Sequence, residues 1–411
     1  MAAGALTGPS AARAADIEFM SWTYAEEAGR PSVQALLDGF SAQTGIAVET
    51  IGYAWGDMQR NVWLRQRSGT LPDVIQLQER WLPSHANMPE LVDLNEVFGR
   101  EALEARFAPD ALALGRIGDR QMALPWISGT IGMVANAAVL EEAGIAEMPT
   151  TVAEFKAALE AVRDKIPRSV PYAMATQNNS SILLDFMIWV WVHGGNIVTE
   201  DGEVVVDSEA GHAALSFMTS LVRERLAAPE VDRPDSRRLF AQNAAAFYFD
   251  APQARTHIRT FSGQGEAIDP IVRPITTPVL AQGDTPRSIQ WGHLVALAGA
   301  DNANPDSPAA RFIDHLVSEE PQTTYPIQQS VLPVTLAARA APTVRDDAYL
   351  SAWAAATGEP LRNEIGIWSN AADMTTIIGE EVQSALLGQK TPEEAIAAMQ
   401  QRLASSMAQR G

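Results

Sequence analysis

The sequence predicts an α/β protein of two domains. Three observations lead there: the length, the β-α-β order of the first hundred residues, and proline-marked crossings that divide the rest. At 411 residues, 46% of them hydrophobic, the chain exceeds what one hydrophobic core ordinarily organises. Ile17 to Met20 has strand composition and runs into the polar stretch Ser21-Trp22-Thr23-Tyr24. Pro31 then opens a helix with Val33, Leu36, Leu37 and Phe40 on one face, and Gly45 stops it. Ile46, Val48 and Ile51 follow as a strand. Strand, helix, strand in this order implies parallel pairing through a right-handed crossover.

A second helix runs through Met58, Val62 and Leu64 to Gly69, and Pro72 to Leu77 reads as a buried strand. Ligands of open α/β sheets lie beyond the carboxyl ends of the strands. That rule brings Tyr24 and Gln78-Glu79 to one edge. Leu124-Pro125-Trp126 precedes an apolar, glycine-punctuated stretch ending at Asn136, where the chain is expected to cross to the second domain. Thr151-x-x-Glu154 is a capping box for a helix carrying Phe155, Leu159 and Val162. The polar loop Gln177 to Ser180 precedes an apolar helix, Ile182 to Trp191, in which Trp189 and Trp191 are expected in the core. Phe247-Tyr248-Phe249-Asp250 reads as a strand ending in a carboxylate. Pro270, Pro274, Pro278 and Pro286 suit an extended hinge, and Pro321, Pro326 and Pro333 mark a further crossing. Ser307-Pro308 opens a helix, and the capping box Thr391-Pro392-Glu393-Glu394 opens the last one.

Composition narrows the function classes. A formal charge of -20 argues against nucleic acid and anionic membrane surfaces, which need clustered Lys and Arg. With no cysteine, disulfides, thiol nucleophiles and cysteine-ligated zinc are excluded. Ala12-Arg13-Ala14 has the small-x-small form of a signal peptidase site, so residues 1–15 are expected to be the remnant of an export signal whose start lies upstream. The six histidines show no metal-ligand spacing, and there is no G-x-S-x-G elbow or P-loop. Asp301 to Asp306 superficially suggests a calcium loop, but lacks glycine at the sixth position and glutamate at the twelfth. Neither a metal nor a cofactor is expected.

Four segments together are similar to one family. They are Phe40-x-x-x-Thr44-Gly45-Ile46-x-Val48, Gly69-x-x-Pro72-Asp73-Val74, Leu124-Pro125-Trp126 with Asn136 ten residues on, and Leu387-Gly388-Gln389-Lys390-Thr391-Pro392-Glu393-Glu394-Ala395. In this order and spacing the chain resembles the solute-binding proteins of bacterial ABC importers, in their maltose-binding-like, carbohydrate-binding branch. It departs from the family pattern at Ala135, where a tyrosine is usual. The resemblance implies a two-lobed periplasmic-binding-protein fold, each lobe a mostly parallel sheet flanked by helices, joined by a multi-crossing hinge. The expected division is 16–127 with 278–328 for the N-terminal lobe, and 128–277 with 329–411 for the C-terminal lobe. It further implies closure around a mono- or oligosaccharide and docking on a membrane permease; the acidic charge favours a monomer, the signal remnant places it in the periplasm, and the absence of catalytic motifs argues against an enzyme.

Sugars present hydroxyls at their rims and flat C–H patches on their faces, so a site needs aromatic platforms and planar polar partners. Of ten tryptophans, Trp22, Trp55, Trp81, Trp126, Trp291 and Trp368 stand near strand ends, turns or crossings. Each is otherwise a core residue with a satisfied N–H. The candidate ligand-binding set is Tyr24, Gln78, Glu79, Trp126, Asn178, Asp250, Trp291, Gly292 and Trp368. Gly292 is included because glycine permits close backbone approach. Arg80 stays open beside Glu79, since the offset from the strand is not fixed to one residue, and Glu26 and Arg362 form a second rank. Two other readings stand beside the main one. A non-sugar solute such as a phosphorylated polyol or polyamine would use the same fold. A glycoside hydrolase would use Glu79 and Asp250 as paired carboxylates.

Overall fold

The computed structural model describes residues 16–85 and 87–409, so the Ala12-Arg13-Ala14 pattern lies outside the described residues. Nine strands share one sheet: β1 (Ile17–Met20), β2 (Val48–Ile51), β3 (Val74–Gln78), β4 (Leu124–Asn136), β5 (Val170–Tyr172), β6 (Ala245–Asp250), β7 (Val272–Ile275), β8 (Arg287–Leu297) and β9 (Glu359–Leu361). The order is β2-β1-β3-β8-β4-β6-β5, with β9 on β8 and β7 on β4. β1 pairs in parallel with β2 and β3 and is the hub of the first lobe. β5 and β6 are parallel in the second lobe.

Two long antiparallel strands join the lobes. β4 pairs with β8 from Leu124 to Ile131, then with β6 and β7 from Gly132 to Asn136. Its partner therefore changes between Ile131 and Gly132. β4 is buried except at Gly129 and Thr130, so the halves on either side of Ser128-Gly129-Thr130 read as apolar runs without alternation.

Local signals explain most of the helices. Arg30–Thr44 and Trp55–Ser68 end at Gly45 (φ 72°) and Gly69 (φ 67°), left-handed positions that favour glycine. Both expected capping boxes form, at Thr151 before Val152–Lys165 and at Thr391 before Pro392–Ala408. Ser307 caps Pro308–Leu316. Ser180–Val192 is buried on nearly all sides, and Trp189 and Trp191 lie in the core as expected. No helix among the described residues is long and apolar enough to cross a membrane.

Proline marks the crossings less simply than expected. Pro274 lies in β7, paired with Val134 of β4, before the chain returns to β8. Pro321 and Pro326 both lie inside the helix Glu319–Gln329. The reversal follows that helix, at Ser330, a non-glycine residue in the left-handed region (φ 58°) whose amide donates to Ile327 O. Gln329 Nε2 donates to Ser32 on one side of this point, and Arg255 Nε donates to Ser330 Oγ on the other.

Candidate functional site: a cleft at the strand ends

The carboxyl ends of β1, β2 and β3 lead into Trp22, Trp55 and Arg80, which line one cavity together with Gln78. Gln76, fully buried beneath it, ties the strands together. Its Oε1 accepts from Ser21 Oγ (2.7 Å) and from the Thr23 amide, and its Nε2 donates to Thr23 Oγ1 (2.8 Å) and to His293 Nδ1 (3.1 Å). With Nδ1 accepting, His293 is the neutral tautomer, and burial keeps its pKa well below the ordinary histidine range. The Trp22 indole packs edge-on against Trp81 and His293, forming a rigid floor. Trp55 is half-buried at the start of its helix, with the Arg80 guanidinium 5.8 Å from its ring centroid. Trp55 Nε1, Gln78 Oε1 and Arg80 Nε are buried without a hydrogen-bond partner among the described residues. Two donors and an acceptor thus stand unused around one space.

The opposite wall belongs to the second lobe. Asp232 caps the helix Arg233–Ala241 through the Asp235 amide. Spacing of four residues puts Arg233 and Arg237 on one face of that helix. Arg237 forms a bidentate pair with Asp250, at 2.8 Å for both bonds, where β6 ends. Arg233 pairs with Asp185 of the buried helix and donates to Phe249 O. Burial pushes Asp250 upward, but Arg237, Arg233 and His257 outweigh it and hold it below the usual carboxylate range. Burial acts on Glu26 with little to oppose it. Arg237 lowers its pKa, the Asp250 charge raises it, and the group is pushed up to about 7. Glu79 is also raised, by burial first, against Arg80 and the Gly292 amide.

The innermost space, lined by Trp22, Glu26, Trp55, Gln78, Arg80, Arg233, Arg237, Asp250 and Trp291 among others, is about 80 Å³. Trp55 and Arg80 also line an outer space of about 500 Å³ between Trp63 and Trp81 on one side and Asn178, Asn179 and Thr375 on the other. The lobes touch at Gly366, where a Cβ would lie 2.4 Å from Arg80 Cβ. Glu364 holds that segment to the second lobe by accepting from Trp191 Nε1 and from the Ile197 and Val198 amides. A separate cavity of about 260 Å³ involves Trp291, Trp353, Leu114 and Leu332, so Trp291 borders two spaces.

Gln78, Asp250 and Trp291 come together in the innermost space, and Asn178 lines the outer one. Glu79 faces a small side space, its oxygens engaged by Gly292 N–H (3.1 Å) and Arg80 Nη1 (3.3 Å). Four residues of the expected set lie elsewhere. Trp126 is fully buried, stacked on Tyr325 (4.6 Å, 1° between planes) with Phe19 edge-on at 6.0 Å, so neither indole face is open to a ligand. Gly292 serves strand packing, since a Cβ there would meet Leu114 Cδ1 at 2.8 Å and Ile127 O at 2.9 Å. Tyr24, with Arg30 over its ring, and Trp368 both pack against the main hydrophobic core, which runs through both lobes, and neither borders a described cavity. The set lacked Trp55, Arg80, Arg233, Arg237 and Glu26. The available signal was the pair of arginines one helical turn apart, just before a strand ending in aspartate.

The model of the bacterial extracellular solute-binding protein family matches residues 35–352. The chain belongs to this family. Among curated proteins, the diacetylchitobiose binding protein DasA of Streptomyces coelicolor is 26% identical over 175 residues, which is 43% of this chain and 40% of that protein. Among solved structures, the GacH receptor of Streptomyces glaucescens, studied unliganded and with acarbose, superposes with a TM-score of 0.85 at 20% identity, covering 96% of this chain and 99% of that one. Maltose-bound MalE3 of T. maritima gives 0.83 at 22% identity, covering 95% and 99%. At these identities the structural likeness establishes the two-lobed fold. As a family member the chain is a solute-binding protein, and the cleft is where such a fold offers a site.

Proposed function

We propose that the cleft captures a mono- or oligosaccharide and that the chain delivers it, from the periplasm, to the membrane permease of an ABC importer. The observation that carries this reading is the half-buried Trp55 indole beside Arg80 and Gln78, with unused hydrogen-bonding atoms on all three. A sugar ring satisfies such a set with one C–H face and its rim hydroxyls. The ligands named for the relatives, diacetylchitobiose, acarbose and maltose, point the same way.

Capture works by hinge closure. Trp55, Gln78 and Arg80 come from one lobe, and Arg237, Asp250 and Asn178 from the other, so a ligand touching both binds the closed form better and shifts the equilibrium toward it. The division 16–127 with 278–328 against 128–277 with 329–411 belongs to this proposal, and the change of partner along β4 supports a crossing close to its first boundary. Hydrolysis is disfavoured. Glu79 and Asp250 are each tied to an arginine, and Glu79 faces a side space that Asp250 does not border, so the two carboxyls do not flank one bound bond.

A thermal-shift screen tests the reading, because a ligand that binds only the folded state raises the midpoint by mass action. Mono- and oligosaccharides are expected to raise it. A rise with phosphorylated polyols or polyamines and none with sugars would contradict the carbohydrate assignment. Release of shorter products during incubation would contradict a purely binding role.

A further inference from the structure

The charges at the cleft base can be paired off, and one remains. Three guanidiniums each have a carboxylate: Arg80 has Glu79, Arg233 has Asp185, and Arg237 has Asp250. Glu26 is a further carboxylate bordering the innermost space, and it has no hydrogen bond or ion pair among the described residues. The cation nearest in sequence, Arg30, turns away and donates to Tyr24 O and Ala25 O. Across the cleft Glu26 faces the Arg237–Asp250 pair, whose charges oppose each other in their effect on it. Arg80 and Arg233 border the same space with their own partners bound, and Tyr325 approaches from the hinge helix.

We propose that Glu26 makes the cleft selective for a carbohydrate carrying a basic amine, whose ammonium pairs with this carboxylate when the lobes close. The inference rests on the carbohydrate reading above. Glu26 is half-buried at the cleft wall, and closing the lobes over a carboxylate without a counter-charge of its own is costly; only a cation or a proton removes that cost. A neutral hydroxyl donates a hydrogen bond but leaves the charge. A metal ion needs several ligands, and no group of three or more His, Asp or Glu side chains among the described residues could hold one. An ammonium group supplies both charge and donors, and charge-assisted bonds are roughly twice as strong as neutral ones. The proton is its competitor, since burial already raises Glu26 to about 7.

The test is calorimetric titration of the whole chain with two matched pairs of probes: chitobiose against N,N′-diacetylchitobiose, and 6′-amino-6′-deoxymaltose against maltose. At about pH 7.5 the amine form of at least one pair is expected to bind about tenfold more tightly than its neutral partner. That ratio should fall below about threefold in Glu26→Gln. It should also fall in the unaltered protein at about pH 5.5, where Glu26 holds a proton; this arm decides alone if the variant does not fold. Neutral forms binding as well as or better than their amine partners in both pairs would overturn the inference and leave the carbohydrate reading standing. A preference that survives both Glu26→Gln and acidification would overturn it as well. Binding by none of the four would overturn this inference, while the carbohydrate reading stands or falls on the thermal-shift screen.

Discussion

A single methyl group at Gly366 should separate closure from folding. A Cβ built there lies 2.4 Å from Arg80 Cβ and 2.8 Å from Arg80 Cα. Carbon atoms in ordinary contact stand about 3.5–4.0 Å apart, so the lobes must part by roughly 1–1.5 Å at this point. The obstacle is the Arg80 backbone and first side-chain carbon, which cannot swing aside as a flexible tip can. Overpacking of this kind costs about 1–3 kcal/mol. If closure brings the lobes together as proposed, an open form lacks this contact, and the cost falls on the closed, ligand-bound form. Gly366→Ala should therefore weaken binding by roughly fivefold to a hundredfold. The unfolding free energy of the ligand-free protein should move by less than about 0.5 kcal/mol. The assay is a fluorescence titration with the sugar that gives the largest thermal shift, run beside urea unfolding. Binding within twofold of the parent would refute the assignment of Gly366–Arg80 as a closure contact, as would a loss of stability that matches the loss of affinity.

Three further outcomes are expected. Trp126→Ala should lower the unfolding free energy by about 3–5 kcal/mol in urea, because the indole fills the space between Tyr325 and Phe19, while Trp55→Ala should weaken sugar binding at least about tenfold with little change in stability; the reverse pattern would exchange their roles. Arg237→Ala should destabilise by about 3–5 kcal/mol, since Asp250 is left buried and unpaired, and replacing both by apolar residues should recover much of the loss. His85 is neutral in the fold, its pKa lowered to about 4 by burial against the opposing bond to Trp81 O. Its contribution is complete above the ordinary value of 6.5 and is lost as pH falls toward about 4, a change of about 3 kcal/mol. Urea unfolding of His85→Gln should show a correspondingly smaller fall over that window, and parallel pH profiles would contradict the assignment.

What was readable in the sequence was local. Glycine stops at Gly45 and Gly69 and the capping boxes at Thr151 and Thr391 involve residues a few positions apart, and each formed. Strand ends located Gln78 and Asp250 because a strand delivers its last side chains to one edge. Burial of a particular tryptophan was not local. Trp126 follows a proline at a crossing, as a ligand platform does, yet its faces are covered by Phe19 and Tyr325, each about a hundred residues or more away along the chain. Trp55 carries no stronger sequence signal but starts a helix whose outer side faces the cleft. Gly292 illustrates the same limit. Glycine allows close approach, but the approaching atoms are Leu114 and Ile127 O of neighbouring elements. Pro326 was read as marking a crossing, but tertiary packing keeps it within Glu319–Gln329, with Tyr325 fully buried against Trp126.

The most direct measurement is a crystal structure of the chain grown with the sugar that raises its melting point most. A sugar ring on the Trp55 face, with hydroxyls at Arg80 Nε and Gln78 Oε1 and contacts to the Arg237–Asp250 side, is the predicted result. A sugar bound outside the cleft, or a closed cleft empty at saturating sugar, would contradict the account.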